Sequence, residues 1–299
     1  MKLIFFGTPD FAIPVLEKIH KSKHELKAIV TAPDKERGRG RKVSAAPVKN
    51  FALQNDIPVL QPGKLKSSDF IEELKTFEAD VFVVVAFRIL PEEIFSIPKK
   101  GAFNLHGSLL PKYRGAAPIQ WALINGEKES GLTTFFLKKK VDTGNIILQE
   151  KIKIDEEDNF GTLHDKMSEA GAYLVLKTLD LIEEGNAVTF EQDQSLVSPA
   201  PKITNDIRQI DWRKSAEEIH DLIRGLSPYP AAFFANDGKN YKVYSSKIRN
   251  DINPEAGKIF QKKDELIIGC GKDALEILEL QPEGKRRMKA GDFLRGNRL

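Results

Sequence analysis

An amide and an imidazole stand two residues apart, as Asn104 and His106, in the stretch GAFNLHGSLLPKYRGAAPIQ. An amide N–H donates well to an oxygen that turns negative in a tetrahedral intermediate, and removing one such donor costs roughly 10²–10³ in rate. An imidazole exchanges protons near neutral pH, which suits an attacking amine or a leaving nitrogen. A carboxylate further along, Asp142 in the run VDTG, can orient an imidazole or favour its protonated form. Taken singly, each residue has a plainer reading. Asn104 can end a strand through local hydrogen bonds, His106 can be a loop histidine, and Asp142-Thr143-Gly144 can be a turn. His106 and Asp142 are 36 residues apart, which leaves their contact to be inferred.

Those residues need a frame. The run GAFNL reads as a strand, whose period of two turns Asn104 and His106 to one side. The C-terminal end of a strand is where open α/β sheets place their chemistry. A Gly/Pro-rich loop follows (Gly107, Pro111, Gly115, Pro118), and the chain resumes as a helix over 116–126. The loop from Ser108 to Gly115 is expected to close over the three groups. Upstream, KLIFF at 2–6 reads as the first strand, with Thr8 as N-cap and Pro9 at the first position of a helix to about 21. The turn lacks G-x-G-x-x-G, so no dinucleotide is inferred. Strands at 26–31, 58–60 and 80–86 alternate with helices at 48–55, 69–77 and 91–95. DVFVVVA is a continuous apolar run, as a parallel strand buried on both faces requires. The alternation predicts a Rossmann-like, doubly wound and mostly parallel sheet. Strands at 132–137 and 146–154 and a long helix at 161–184, closed by Gly185, complete a first domain over 1–184. Residues 185–206 are polar, hold two prolines and read as a linker. The remainder, 207–299, has one short helix, a hairpin turn at Asn236-Asp237-Gly238 and several short strands, which predict a small OB-like β-barrel.

At 299 residues, with 41% hydrophobic and 30% charged residues, the chain has an ordinary globular composition and room for two domains. The apolar run at 3–6 is too short for a signal segment or a membrane span, so a cytoplasmic protein without membrane contact is expected. A single cysteine, Cys270, excludes an internal disulfide and a cysteine metal cluster, and five scattered histidines suggest no metal. The net charge of +3 rules out a polycation, but the cations cluster. Lys35, Arg37, Arg39, Arg41 and Lys42 fall within eight residues, 138–140 is a lysine triplet, and Lys285, Arg286, Arg287 and Lys289 lie near the C-terminus. A solvated face explains any one cluster; several around one site favour a polyanionic partner.

The run NLHGSLLPKYRGAAPIQ, with the later VDTG, resembles the folate-dependent formyltransferases. In that family the Asn, His and Asp of these motifs are catalytic, and they fall here on Asn104, His106 and Asp142. FFGTPDFAIPVLE, VTAPDKERGRGRK, the IDW at 210–212, IRGLSPYPAAFF and the final GNRL extend the resemblance over nearly the whole chain, toward members that formylate an aminoacylated tRNA. The resemblance implies transfer of a formyl group from N10 of 10-formyltetrahydrofolate to the α-amine of methionine on initiator tRNA, without a metal; a monomer is expected. It implies that Asn104 and protonated His106 stabilise the oxyanion, that His106 or a water carries a proton to N10, and that Asp142 positions these groups. Folate is expected along Phe87, Arg88, Ile89 and Leu90, and against Ser108, Leu109, Leu110 and Pro111. Phe87-Arg88 replaces the Tyr-Gly pair common in the tRNA enzymes. The basic loop is expected to reach the acceptor end of the tRNA through Arg37, Arg39, Arg41 and Lys42, with Arg39 at the position of the family's key arginine. Phe11 falls at a position of the methionyl side-chain pocket. Two alternatives stand beside this reading. One is a formyltransferase for an amino-sugar nucleotide, which shares the three residues and the SLLPKYRG loop but not the GRGRK loop or the IRGLSPYP…GNRL tail. The other is a catalytically silent RNA-binding module, which the intact Asn104, His106 and Asp142 disfavour.

Overall fold

A computed structural model describes residues 1–37, 42–297 and 299 of the chain. They group into two compact units, each assembled from separate segments. The first comprises Met1–Gly115, Gly131–Ile152 and His164–Pro199; the second comprises Ala116–Ser130, Lys153–Leu163 and Ala200–Leu299.

The N-terminal half runs β1 (Lys2–Gly7), α1 (Ile13–His20), β2 (Glu25–Val30), β3 (Lys35–Arg37), β4 (Lys42–Ser44), α2 (Pro47–Gln54), β5 (Val59–Leu60), α3 (Ser68–Thr76), β6 (Val81–Val85), α4 (Glu92–Phe95), β7 (Ala102–His106) and β8 (Arg114–Gly115). It continues through α5 (Pro118–Ile124), β9 (Glu129–Phe136), β10 (Ile146–Lys153) and α6 (Phe160–Glu184). Seven strands form the main sheet in the order β10-β9-β7-β6-β1-β2-β5. From β5 to β7 every pairing is parallel, and β9 returns antiparallel to β7. All five residues of β6 are buried, as are the last five of β1, because helices cover both faces at the middle of such a sheet. Ile4, Phe6, Val30, Phe82 and Leu74 share one core with Ile94 of α4, and the Phe6 and Phe82 rings lie 5.1 Å apart. The mostly parallel Rossmann-like sheet is therefore present.

One local expectation is corrected. Thr8 is not the cap of the first helix. Pro9 occupies that position before a 3₁₀ turn at Asp10–Ala12, and no side chain caps it. The Thr8 hydroxyl instead accepts from Ala32 N at 3.4 Å, so it ties the turn to the end of β2. The polar run 185–206 carries structure of its own. Gly185 ends α6 at φ +73, and Phe190 pairs both ways with Ile146 at 2.8 and 2.9 Å, extending the sheet edge. A 3₁₀ turn at Gln194–Leu196, capped by Asp193, leads to β11 (Pro199–Ala200). Backbone pairing, invisible in composition, gives this segment its structure.

The second unit continues with α7 (Asn205–Arg208), α8 (Ala216–Leu226), β12 (Ala232–Asn236), β13 (Lys239–Arg249), β14 (Ile259–Lys262), β15 (Glu265–Gly269), β16 (Ala274–Pro282), β17 (Met288–Lys289) and α9 (Ala290–Leu294). Its antiparallel sheet has the order β12-β13-β16-β15-β14, with β17 on β16. Asp237 and Gly238 both have positive φ (48° and 73°), the type I′ geometry that a two-residue hairpin wants. Helix α8 opens with a reciprocal capping box between Ser215 and Glu218 and lays Ile219, Ile223 and Leu226 on the sheet core. Helix α5 joins this unit because it packs closely on α8: a Cβ at Gly225 would stand 3.1 Å from the Gln120 carbonyl. Among the described residues, no helix is long and apolar enough to cross a membrane.

Candidate active site

Sheet register places the amide and the imidazole. Asn104 stands between Val84 of β6 and Phe135 of β9, and His106 lies opposite Thr133. The pleat turns both side chains to one face, where the Phe135 ring meets the His106 ring edge-on at 6.5 Å. His106 is buried. Asn104 is only partly covered, and among the described residues no hydrogen bond reaches its amide. An amide left in this way is available to a ligand oxygen.

His106 is fixed from its far nitrogen. Nε2 lies 2.9 Å from the carbonyl oxygen of Tyr113. A carbonyl only accepts, so Nε2 carries the hydrogen, and in the neutral ring the lone pair is on Nδ1. The loop that supplies this carbonyl is pinned to the sheet. Thr133 Oγ1 donates to Ser108 O at 2.7 Å and accepts from Leu110 N at 3.0 Å, and Gln149 Nε2 donates to Leu110 O at 2.8 Å. Ser108 Oγ donates to Lys112 O at 2.6 Å. Tyr113 is thereby held at φ +59°, an uncommon conformation for a residue with a Cβ. The segment expected to close over the site is a shelf built on β9. Ser108 is fully buried and Leu110 packs on Phe135 and Ile146, so these two side chains serve the loop; Pro111 is buried and Leu109 half-buried.

Asp142 arrives from the other side. The loop 137–145 leaves β9 beside Ala102 and closes on itself where Phe136 N donates to Asn145 O at 3.0 Å. A Cβ at Gly144 would overlap the Phe136 carbonyl, which is why VDTG needs its glycine. Asp142 sits at φ +52°, and its Oδ2 accepts from Gly115 N at 3.0 Å. Gln192 clamps the same loop. It is 6% exposed, its Nε2 donates to the carbonyls of Asp142 (3.0 Å) and Gly144 (2.8 Å), and its Oε1 accepts from Arg114 Nε at 3.0 Å. Burial pushes the Arg114 guanidinium down from its ordinary pKa, against the pull of Asp142. Among the described residues Asp142 and His106 do not bond to each other. They hold opposite ends of Tyr113-Arg114-Gly115, so the expected carboxylate–imidazole contact is replaced by coupling through that tripeptide.

The segment after β6 turns at Ala86, again at positive φ (49°). The Phe87 ring packs on Phe6, Arg88 Nη2 donates to Pro62 O at 2.9 Å, Ile89 is 72% exposed and Leu90 is buried. With Lys64, Lys66, Glu92, Phe95 and Lys139, Arg88 and Ile89 border a cleft of about 740 Å³, room enough for a drug-sized ligand. Phe11 is 7% exposed on the turn after β1, its ring 5.1 Å from that of His164. Of the basic loop, Arg37 and Lys42 pair as backbone at the ends of β3 and β4; Arg39 and Arg41 lie outside the described residues. Elsewhere, burial pushes the Cys270 thiol up to about 12, so it is no nucleophile. His24, Asp180 and Glu183 converge, but Lys23 Nζ sits 3.0 Å from both carboxylates, as an ion cluster requires.

Known proteins share this arrangement of parts. Residues 1–179 match the formyl transferase family and residues 202–298 its C-terminal domain. A methionyl-tRNA formyltransferase of Caldanaerobacter subterraneus subsp. tengcongensis is 45% identical over 302 residues, covering 100% of this chain and 98% of the relative. One from Flavobacterium johnsoniae is 44% identical, covering 99% and 96%. Among solved structures, an N-formyltransferase from Helicobacter canadensis, in complex with folinic acid and dTDP-3-aminofucose, is 24% identical and superposes with a TM-score of 0.70 over 93% of this chain and 98% of that one, a likeness of fold. The chain belongs to the formyl transferase family, among the methionyl-tRNA formyltransferases.

Proposed function

We propose that this protein transfers the formyl group of 10-formyltetrahydrofolate to the α-amine of methionyl-initiator tRNA, giving N-formylmethionyl-tRNA for translation initiation. Likeness to enzymes of that name over the full chain supports the reaction, and the unbonded Asn104 amide beside a buried His106 is the observation that carries the chemistry. The neutral amine attacks the formyl carbon, and the formyl oxygen becomes an oxyanion that the Asn104 amide and protonated His106 receive. The C–N10 bond then breaks with its electron pair going to N10. N10 takes a proton from His106 or through a water, and the attacking nitrogen gives up one of its own to the imidazole or water that supplied it. Asp142 positions these groups by seating Gly115 and, through it, the carbonyl that orients His106.

Around that centre the assignments follow the chain. Folate lies along Phe87, Arg88, Ile89 and Leu90 and against the 108–111 shelf, where backbone and the half-buried Leu109 make the contacts. Phe11 contributes to the methionyl pocket. Arg37, Arg39, Arg41 and Lys42 grip the acceptor end of the tRNA, and 207–299 acts as an OB-like tRNA-binding domain after the catalytic domain at 1–184. The enzyme acts as a cytoplasmic monomer that needs no metal. Purified protein given 10-formyltetrahydrofolate with either methionyl-tRNA or amino-sugar nucleotides tests the reading. Formylated methionyl-tRNA is the expected product; formylation of the sugar nucleotide alone overturns it.

A further inference from the structure

We propose that Arg114 is a positioning residue for formyl transfer, acting through a strap formed by residues 192–198; this rests on the reaction proposed above. The strap and the residues it holds all belong to the first unit. The backbone at Arg114 joins the two sides of the centre. Tyr113 O accepts from His106 Nε2 at 2.9 Å on one side, and Gly115 N donates to Asp142 Oδ2 at 3.0 Å on the other. Tyr113 stands at φ +59°, which a residue with a Cβ keeps only where its neighbours hold it. The tripeptide therefore needs an anchor.

The strap supplies it. Ser198 takes the backbone: its Oγ accepts from Tyr113 N and its carbonyl from Arg114 N, both at 2.9 Å. The Arg114 fork takes the side chains. Nε donates to Gln192 Oε1 at 3.0 Å, Nη2 donates to the same oxygen, and Nη1 donates to Gln194 Oε1 at 3.3 Å. Gln194 Nε2 in turn donates to Gln192 O at 2.9 Å, while Gln192 Nε2 reaches the Asp142 and Gly144 carbonyls. One guanidinium thus closes a ring of bonds that runs from Asp142 through Gly115 and Arg114 to Gln192 and back to the Asp142 loop. His106 hangs from that ring through the Tyr113 carbonyl. Among the described residues no carboxylate bonds to Arg114; its acceptors are neutral amides. Burial pushes its pKa down while Asp142 pulls it up, so the cation is partly desolvated with no ion pair to offset the cost. Charge alone does not explain an arginine here. Several N–H groups in one plane are what holding two glutamines in register requires, and lysine has the charge but not the fork.

The test measures formyl transfer to methionyl-tRNA by the full chain carrying Arg114→Ala or Arg114→Lys, with melting temperature followed alongside. Arg114→Ala is expected to lose about 10² in kcat, the size of effect an ångström of misplacement produces, with KM for methionyl-tRNA and for 10-formyltetrahydrofolate little changed. Free guanidinium ion at millimolar concentration restores part of that kcat, and sodium chloride at equal ionic strength does not. Arg114→Lys is expected to lose nearly as much as Arg114→Ala, and it keeps the test readable should the alanine variant not fold. A kcat per folded molecule equal to the wild type's, with only the melting temperature lowered, makes Arg114 structural and overturns the proposal. Full activity of Arg114→Lys overturns it as well, since charge would then suffice. So does a raised KM for methionyl-tRNA with kcat intact, which makes Arg114 a phosphate contact. A wild type that forms no formylmethionyl-tRNA overturns the reaction reading itself, a separate result.

Discussion

In the proposed reaction the work divides between the Asn104 amide, partly covered and without a hydrogen-bond partner among the described residues, and Nδ1 of His106, whose Nε2 is anchored. Asn104→Ala removes the donor without breaking a side-chain hydrogen bond among the described residues. We expect a loss of roughly 10²–10³ in kcat with little change in KM for either substrate, read by single-turnover formyl transfer. An unchanged kcat would remove Asn104 from the chemistry. Gln192 gives a second residue-scale prediction. Among the described residues it bonds to neither Asn104 nor His106, yet it joins Arg114 to the Asp142 and Gly144 carbonyls, so it positions rather than reacts. Gln192→Glu keeps the shape but turns two donors into an acceptor facing two carbonyls. Displacement of Asp142 by an ångström suffices for a loss of about 10² in kcat, whereas a structural role alone lowers melting temperature and leaves kcat per folded molecule intact; the two readouts separate the cases. Asn104, His106 and Asp142 stand out in the sequence as candidates because their chemistry and motifs are local. Gln192 does not, since a glutamine in a polar run has no signal until the chain folds it onto 142–144.

Elements were legible where their cause is periodic. The apolar run of β6, the helix of 160–184 and the Asp237-Gly238 turn all follow from side-chain period or φ preference. The Thr8 cap misled because its hydroxyl pairs with the distant Ala32 backbone, which periodicity does not encode. Element-scale stability yields two tests. Ser215→Ala deletes the capping box of α8 and should cost about 1 kcal/mol by chemical denaturation; no change would mean that the α8 core contacts alone define the helix start. The second is pH. Helix α8 also carries His220, whose Nδ1 lies 3.0 Å from Ser246 Oγ and which burial pushes below its ordinary pKa, with Asp221 opposing. The unfolded chain takes up that proton at about pH 6.5, and the folded one only at lower pH. Between the two values the unfolded state binds more protons, so stability is present above pH 6.5 and drains away as pH falls through that window. His220→Gln keeps a hydrogen-bonding group and removes the titration. Its melting temperature should decline less than the wild type's from pH 7.5 to 5.5, and parallel declines would exclude His220 as a source.

At the scale of the whole molecule, the two-part organisation was readable from the shift from alternating to all-β signals. The interleaving of segments was not, because the α5–α8 contact at Gly225 joins helices about 100 residues apart. The charge is also local: a net +3 gives little long-range attraction, so any grip on RNA must come from clusters. Not every clustered cation is available. Arg287 pairs with Glu279 and lies 4.2 Å over the Tyr244 ring, and Lys285 donates to Asn297 Oδ1 at 3.0 Å. The 35–42 loop concentrates five cations with a single glutamate, Glu36, among them, and so should supply a large part of the phosphate contact. If it does, log affinity for methionyl-tRNA falls linearly with log salt, with a slope near −0.9 per phosphate neutralised in a duplex. Arg39→Ala should weaken tRNA binding, flatten that slope by about one and leave tetrahydrofolate affinity unchanged. Filter binding over a salt series measures it. A slope identical to the wild type's, with equal efficiency on tRNA, would take Arg39 out of the interface and shift the phosphate contact to the C-terminal cations.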